Sequence, residues 1–256
     1  MTPPIQPKLS IPSASLPPAP CLGRVHSIDT CCTTDGLGIR AVVFLQGCPL
    51  RCHFCHNPDT WQASGGQSLT VEETFQRLLK NQAYFKHSGG GITVSGGEPL
   101  LQLPFVTALF KAAKKAGIHT TLDTSGYTLL RPELTDLLAV TDLVMLDIKD
   151  PDPKQHQRST HVDLAPIEAF LKLVVEQKKT IWIRHVLVPN YTLEEASLVR
   201  LAQFLEPYKA QIKQLDLLPY HPLGEHKWQR LGLQSPLEGT PAVTPEQVAW
   251  AYQIVK

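Results

Sequence analysis

An excess of charge of one sign is missing from this chain. Lys and Arg number 24 against 23 Asp and Glu, and the net charge is +1. Such a balance gives no field that would gather nucleic acid or an anionic membrane. Long apolar runs are missing as well: nothing approaches the roughly 20 residues of a membrane-spanning helix. No secretory signal is evident, and no internal repeat. Cysteine is sparse, six residues in all, three of them in one short run. That distribution excludes a disulfide framework and suits a reducing compartment, so the cytoplasm is the expected location. Cys21, Cys31 and Cys32 form no second motif and read as free thiols.

Residues 1–20 hold seven prolines, three serines, one lysine and no acid. A segment of that composition is expected to be a disordered extension. An organellar address would share its serines and lack of acids but would also carry arginine, which is absent. The remaining residues, 21–256, are expected to form a single domain. A chain of 256 residues, 43% hydrophobic, has enough material for an α/β barrel.

The most informative run is Gly47-Cys48-Pro49-Leu50-Arg51-Cys52-His53-Phe54-Cys55-His56-Asn57. Its spacing is C-x3-C-x2-C. Three thiolates so close together can grip one face of a cubane iron–sulfur cluster, which normally takes four. One iron would then stay open, and open metal positions belong to catalytic rather than structural sites. A Cys3His zinc site on Cys48, Cys52, Cys55 and His56 is the bland alternative. Against it, Cys55 and His56 are adjacent, and no second Cys/His pair lies downstream.

From residue 39 onward, apolar runs alternate with helical patterns. The runs are 39–46, 91–95, 119–123, 143–149, 180–188 and 214–220, and they are rich in Val, Ile and Leu, as strands covered on both faces should be. Thr70-Val71-Glu72-Glu73 reads as a capping box opening a helix to about Phe85, and Thr192-Leu193-Glu194-Glu195 as another opening a helix to Leu205. Thr244-Pro245-Glu246-Gln247 starts a third. Further helices are expected over 103–116, 131–140 and 164–177. The alternation predicts βαβ units and a parallel sheet. Six units are too few to close an eight-stranded barrel, so the predicted fold is α/β, a partial, open (β/α)6 TIM-like barrel.

In such barrels the chemistry sits at the C-terminal ends of the strands. The predicted strands end, in order, at the cysteine loop, at Ser95-Gly96-Gly97-Glu98-Pro99, at Asp123-Thr124-Ser125-Gly126 and at Asp147-Ile148-Lys149. The fifth carries Arg184 and the sixth ends in Tyr220-His221. Every strand thus brings a polar group to one rim, which points to a shared ligand. Gly96-Gly97 permits close backbone approach. Asp123 and Asp147 are hard oxygen donors suited to a cation, although each residue type also caps helices. Lys149 suits a carboxylate, and His221 offers a donor or acceptor near neutral pH. An inward Arg184 needs an anionic partner.

With these residues in place, the chain resembles the radical S-adenosylmethionine (SAM) enzymes, and among them the glycyl-radical enzyme activases of the pyruvate formate-lyase type. The resemblance covers some nine tenths of the chain. Besides the cysteine motif it rests on Gly23-Arg24-Val25-His26-Ser27, Asp35-Gly36-Leu37-Gly38-Ile39-Arg40 and Asn57-Pro58-Asp59-Thr60-Trp61. It continues in Thr93-Val94-Ser95-Gly96-Gly97-Glu98, Leu122-Asp123-Thr124-Ser125-Gly126, Asp147-Ile148-Lys149, Trp182-Ile183-Arg184 and 217–228.

The resemblance implies a [4Fe–4S] cluster on Cys48, Cys52 and Cys55, with SAM on the open iron. It further implies that Phe54, Cys55 and His56 line the adenine and that Gly97 meets the methionine amino group. Asp147, Ile148, Lys149, Arg184 and His221 would hold the rest of SAM, and Asp123, Thr124, Met145 and Asp147 a monovalent cation, sodium or potassium. The implied reaction takes an electron from reduced flavodoxin or ferredoxin and splits SAM to a 5′-deoxyadenosyl radical. That radical abstracts a hydrogen from a backbone glycine of pyruvate formate-lyase. A monomer is expected. The alternatives are another glycyl-radical enzyme or a small molecule as substrate. Two departures stand out: Leu37 replaces the family's proline in Asp-Gly-Pro-Gly, freeing φ there, and the cysteine-rich insert common among other activases is absent.

Overall fold

Apolar runs covered on both sides should pair in parallel, and they do. In the computed structural model, which describes residues 21–255, eight strands form one sheet. They are β1 (Leu22–Cys32), β2 (Arg40–Leu45), β3 (Gln67–Thr70), β4 (Gly91–Gly96), β5 (His119–Thr124), β6 (Leu143–Asp147), β7 (Thr180–Leu187) and β8 (Ile212–Pro219). Their order is β3-β1-β2-β4-β5-β6-β7-β8. From β2 through β8 every pairing is parallel. These are the six predicted strands, in an open sheet rather than a closed ring. The expectation for residues 1–20 lies outside the described residues.

Two strands escaped prediction. β1 pairs antiparallel with both β2 and β3 and extends the sheet at one edge. Gly23 in β1 leaves room for α3: a Cβ there would lie 2.4 Å from Phe105.

The helices are α1 (Val71–Leu78), α2 (Gln82–Ser88), α3 (Leu103–Lys115), α4 (Glu133–Ala139), α5 (Pro153–Thr160), α6 (Ala165–Glu176), α7 (Glu195–Leu205), α8 (Glu225–Arg230) and α9 (Pro245–Val255). Thr70 caps α1 reciprocally with Glu73, and Thr244 and Gln247 exchange the same pair of bonds at α9. The helix expected to reach Phe85 instead breaks at a 3-10 turn over Leu79–Asn81. The second predicted capping box is not formed. Thr192 Oγ1 donates to Val186 O and accepts from Val188 N at 2.8 Å, and α7 starts at Glu195. A hydroxyl beside unpaired strand-end carbonyls serves the loop before it serves the helix.

Candidate active site

The strand ends enclose a cavity of about 450 Å³. Cys48, Cys52, Cys55, Phe54, His56, Gly97, Asp123, Thr124, Asp147, Lys149, Arg184 and His221 all line it. Of the predicted site residues only Met145 and Ile148 do not. Met145 lies on the same strand face as Asp147 but one step deeper, packed with Leu143 and Trp182. Only its backbone can serve a ligand above it. The Ile148 side chain lies in the main core.

The cysteine loop is held from several sides. Gly47 N–H donates to Thr60 O, Cys48 N–H to Trp61 O, and Cys55 N–H to Cys52 O. From α8, the Trp228 indole donates to Cys55 O at 2.9 Å, and Lys227 Nζ donates to Asn57 Oδ1 at 2.8 Å. Burial pushes the Cys52 thiol up to about 12 and raises Cys48 and Cys55 as well. Thiols that burial keeps protonated become ligands once a cationic metal group replaces the protons. His56 is no fourth ligand for them. Its Nε2 contacts His221 O at 3.2 Å and its ring lies tilted against that of His221, with centroids 4.4 Å apart.

Gly97 fits closely against this loop. A Cβ there would sit 2.1 Å from Gly47 O. Its N–H is taken by Leu45 O at 2.8 Å, so a ligand can meet only its carbonyl, which suits an amino group. The neighbouring Glu98 is fully buried. It accepts from Leu100 N, from Thr124 Oγ1, and from both the backbone and the hydroxyl of Ser125. Glu98 thereby ties the loop after β4 to the loop after β5.

Across the cavity, charged groups form one connected set. Lys149 Nζ is 3.0 Å from Asp147 Oδ2. Arg184 Nη1 lies 3.3 Å from Asp123 Oδ1 and its Nε 3.8 Å from Asp147 Oδ1. Burial works against ionised Asp147, but Lys149 and Arg184 outweigh it and hold the carboxyl below its ordinary value. Asp123 goes the other way: burial pushes it up to about 6 against the pull of Arg184. Neither aspartate caps a helix. A partner not anticipated from the sequence is Asp35. The loop joining β1 to β2 turns into the barrel, so that Asp35 Oδ1 is 3.6 Å from Arg184 and Thr34 lines the cavity. Leu37 in that loop is exposed, and its carbonyl is held by the buried Arg40.

Four buried atoms on the cavity's side chains make no hydrogen bond among the described residues: Asp123 Oδ1, Arg184 Nε and Nη1, and His221 Nδ1. The Asp123–Arg184 approach is an ion pair without hydrogen-bond geometry. Unmatched donors and acceptors of both signs around one apolar-floored space fit a zwitterionic ligand with a polar ring system. Among the described residues, no three His, Cys, Asp or Glu side chains converge on a single metal ion. A cubane presents its irons at separate corners, so three cysteines can hold it without converging.

The radical SAM superfamily model matches residues 42–202. This chain belongs to the radical SAM superfamily. Radical SAM proteins use a [4Fe–4S] cluster and SAM, and the thiols and the unmatched polar atoms suit those two groups in chemistry and placement. A pyruvate formate-lyase-activating enzyme of Listeria monocytogenes is 45% identical over 240 residues, 92% of this chain and 96% of that relative. One from Staphylococcus aureus is 42% identical over 239 residues, 91% of this chain and 95% of the relative. Among solved structures, a radical SAM methyltransferase from Sphaerobacter thermophilus aligns with a TM-score of 0.61 at 15% identity. It covers 93% of this chain and 75% of its own, a likeness of fold alone.

Proposed function

We propose that this radical SAM protein is a glycyl-radical activase that acts on pyruvate formate-lyase. The observation that carries the reading is a three-thiol loop opening onto a cavity ringed by unmatched polar atoms. The end-to-end similarity to activating enzymes supports the substrate.

When bound, the cluster and SAM supply one-electron cleavage that yields a hydrogen-abstracting radical. The chain's own part is ligation and aim. Cys48, Cys52 and Cys55 would hold the cluster through their thiolates, with an iron position left open for SAM. The Gly97 carbonyl receives the amino group. Lys149 and Arg184 present cationic donors, with Asp147 between them to fix their directions. Phe54, which lies under Lys149 Nζ at 5.8 Å, and His56, packed against His221, flank the adenine and exclude water. Asp123, Thr124, Asp147 and the Met145 carbonyl would hold a monovalent cation, sodium or potassium. The proposal includes a reduced flavodoxin or ferredoxin as electron donor. It also includes a monomeric state in the cytoplasm, where low potential keeps the buried thiols reduced. No described helix is long and apolar enough to cross a membrane.

The test is anaerobic reconstitution followed by EPR and product analysis. The reduced cluster signal should change on adding SAM, and a glycyl radical should appear on pyruvate formate-lyase. Cys52→Ala should abolish both and release no 5′-deoxyadenosine. Normal SAM cleavage by that variant would refute the ligand assignment. Turnover of a small molecule without any lyase radical would refute the substrate.

A further inference from the structure

Sheet pairing between β6 and β7 ends at Asp147 and Arg184. The chain therefore leaves the ladder just before Lys149, the residue whose ammonium must be aimed. One backbone bond continues past the end, from Ile148 N–H to Arg184 O. Beyond it, two histidines take over. His185 Nδ1 lies 2.7 Å from Ile148 O, and His156 Nδ1 lies 3.3 Å from Asp150 O. These are the carbonyls on either side of Lys149.

Both rings are fully buried, and Nε2 of each has no hydrogen-bond partner among the described residues. A carbonyl only accepts, so each ring must carry its proton on Nδ1. Burial holds both pKa values down to about 4, which keeps the rings neutral. A leucine would fill either space without stranding a polar nitrogen. What histidine adds is a single N–H pointed at one carbonyl.

His156 belongs to α5, and the far end of α5 reaches the cysteine loop. Arg51 N–H donates to Thr160 O at 2.7 Å, and His53 N–H donates to Ser159 O at 2.9 Å. One short helix therefore touches the backbone beside Lys149 at one end and the backbone beside Cys52 at the other. The sequence offered no reason to single out either histidine.

We propose that His185 and His156 are positioning residues for Lys149, clamping the carbonyls that flank it, and that α5 carries this register to the cysteine loop. The inference rests on Lys149 facing SAM, as in the proposed function. Asparagine is the conservative replacement, since its Nδ2 takes the place of Nδ1. Leucine removes the donor, and glutamine moves it one carbon too far.

The experiment compares His185→Asn, His185→Leu, His185→Gln, the same three changes at His156, and Lys149→Ala, all as anaerobically reconstituted protein. The readings are SAM Kd by equilibrium binding, the EPR change on adding SAM, iron content, and the melting temperature of the cluster-free protein. Loss of a partner behind a ligand typically weakens binding about 10–100-fold, so the leucine variants should raise SAM Kd about ten-fold with iron retained. Their EPR response should shift toward that of Lys149→Ala, and asparagine should restore both readings. If a leucine variant does not fold, the glutamine variant carries the same expectation. Unchanged SAM Kd in the leucine or glutamine variants, with only the melting temperature lowered, overturns the proposal. So does an asparagine variant that folds and loads iron yet binds SAM no better than leucine. If Lys149→Ala itself binds SAM normally, the reading of Lys149 fails, and the clamp loses its purpose with it.

Discussion

Asp123 carries two conflicting demands. Its Oδ2 accepts from Ser95 Oγ at 2.6 Å, while Oδ1 faces Arg184 with no hydrogen bond. With burial raising its pKa to about 6, a cation entering beside Asp147 must displace a proton at lower pH. Sodium or potassium affinity, read as a cation-dependent rise in melting temperature, should be flat above pH 6 and fall about ten-fold per unit below it. Asp123→Asn should remove both the effect and its pH dependence. A cation effect undiminished at pH 5 would place the ion elsewhere. Glu98 offers a different test. Its four donors include two backbone N–H groups, on Leu100 and Ser125. In Glu98→Gln the new NH2 must face one of them, which should cost about 1–3 kcal/mol in urea denaturation. No loss of stability would mean that the loops after β4 and β5 shift to relieve the clash. At this scale much of the site was legible, because a polar residue at the end of an apolar run already has its position. Asp35 was not, since its contact with Arg184 depends on a loop folding back into the barrel. Nor was the role of Glu98, whose partners Thr124 and Ser125 lie at and just past the end of the neighbouring strand β5.

The loop after β4 and the loop after β2 lock together through Gly97 N–H to Leu45 O and Glu98 N–H to Gly47 O. Gly97 has no room for a side chain, because the nearest obstacle to a Cβ is backbone rather than a flexible group. Gly97→Ala should therefore push these loops apart, lowering iron retention and SAM affinity together while leaving the distal helices α7 and α9 intact. Iron analysis and SAM binding on the purified variant would show it, and normal values for both would mean the loops can separate without harm. The parallel strands were legible because each is an apolar run between polar ends. β1 was not: Leu22–Cys32 alternates burial with exposure and is largely polar, as suits an antiparallel strand near the sheet edge. β3 has only four residues and gives no period. Helix α5 has no apolar stripe to find, yet Asp152-Pro153 marks its start by the same logic as Thr244-Pro245. Asp152 caps Lys154 and Gln155 as that signal would require.

For the whole molecule, stability against pH is set by groups that burial shifts in opposite directions. His156 and His185 stay neutral in the folded chain down to about 4, whereas the unfolded chain protonates them near 6.5. As pH falls through that window, proton uptake favours the unfolded state, so each histidine removes stability. Asp123 and Asp150, raised to about 6 by burial, take up protons in the folded state first and act with the opposite sign between about 6 and their ordinary 3.8. The two pairs of contributions therefore oppose one another between pH 6 and 4. A single substitution exposes the balance. His185→Asn keeps the hydrogen bond to Ile148 O but cannot titrate. Relative to the native chain it should gain about 1.4 kcal/mol per pH unit as pH falls from 6.5 toward 4. Urea denaturation of the cluster-free protein at pH 7, 6 and 5 would measure the difference. A gap that stays constant across the three would mean that His185 accepts its proton in the folded state, and that the neutral Nδ1–H donor aimed at the backbone before Lys149 is not what holds it there.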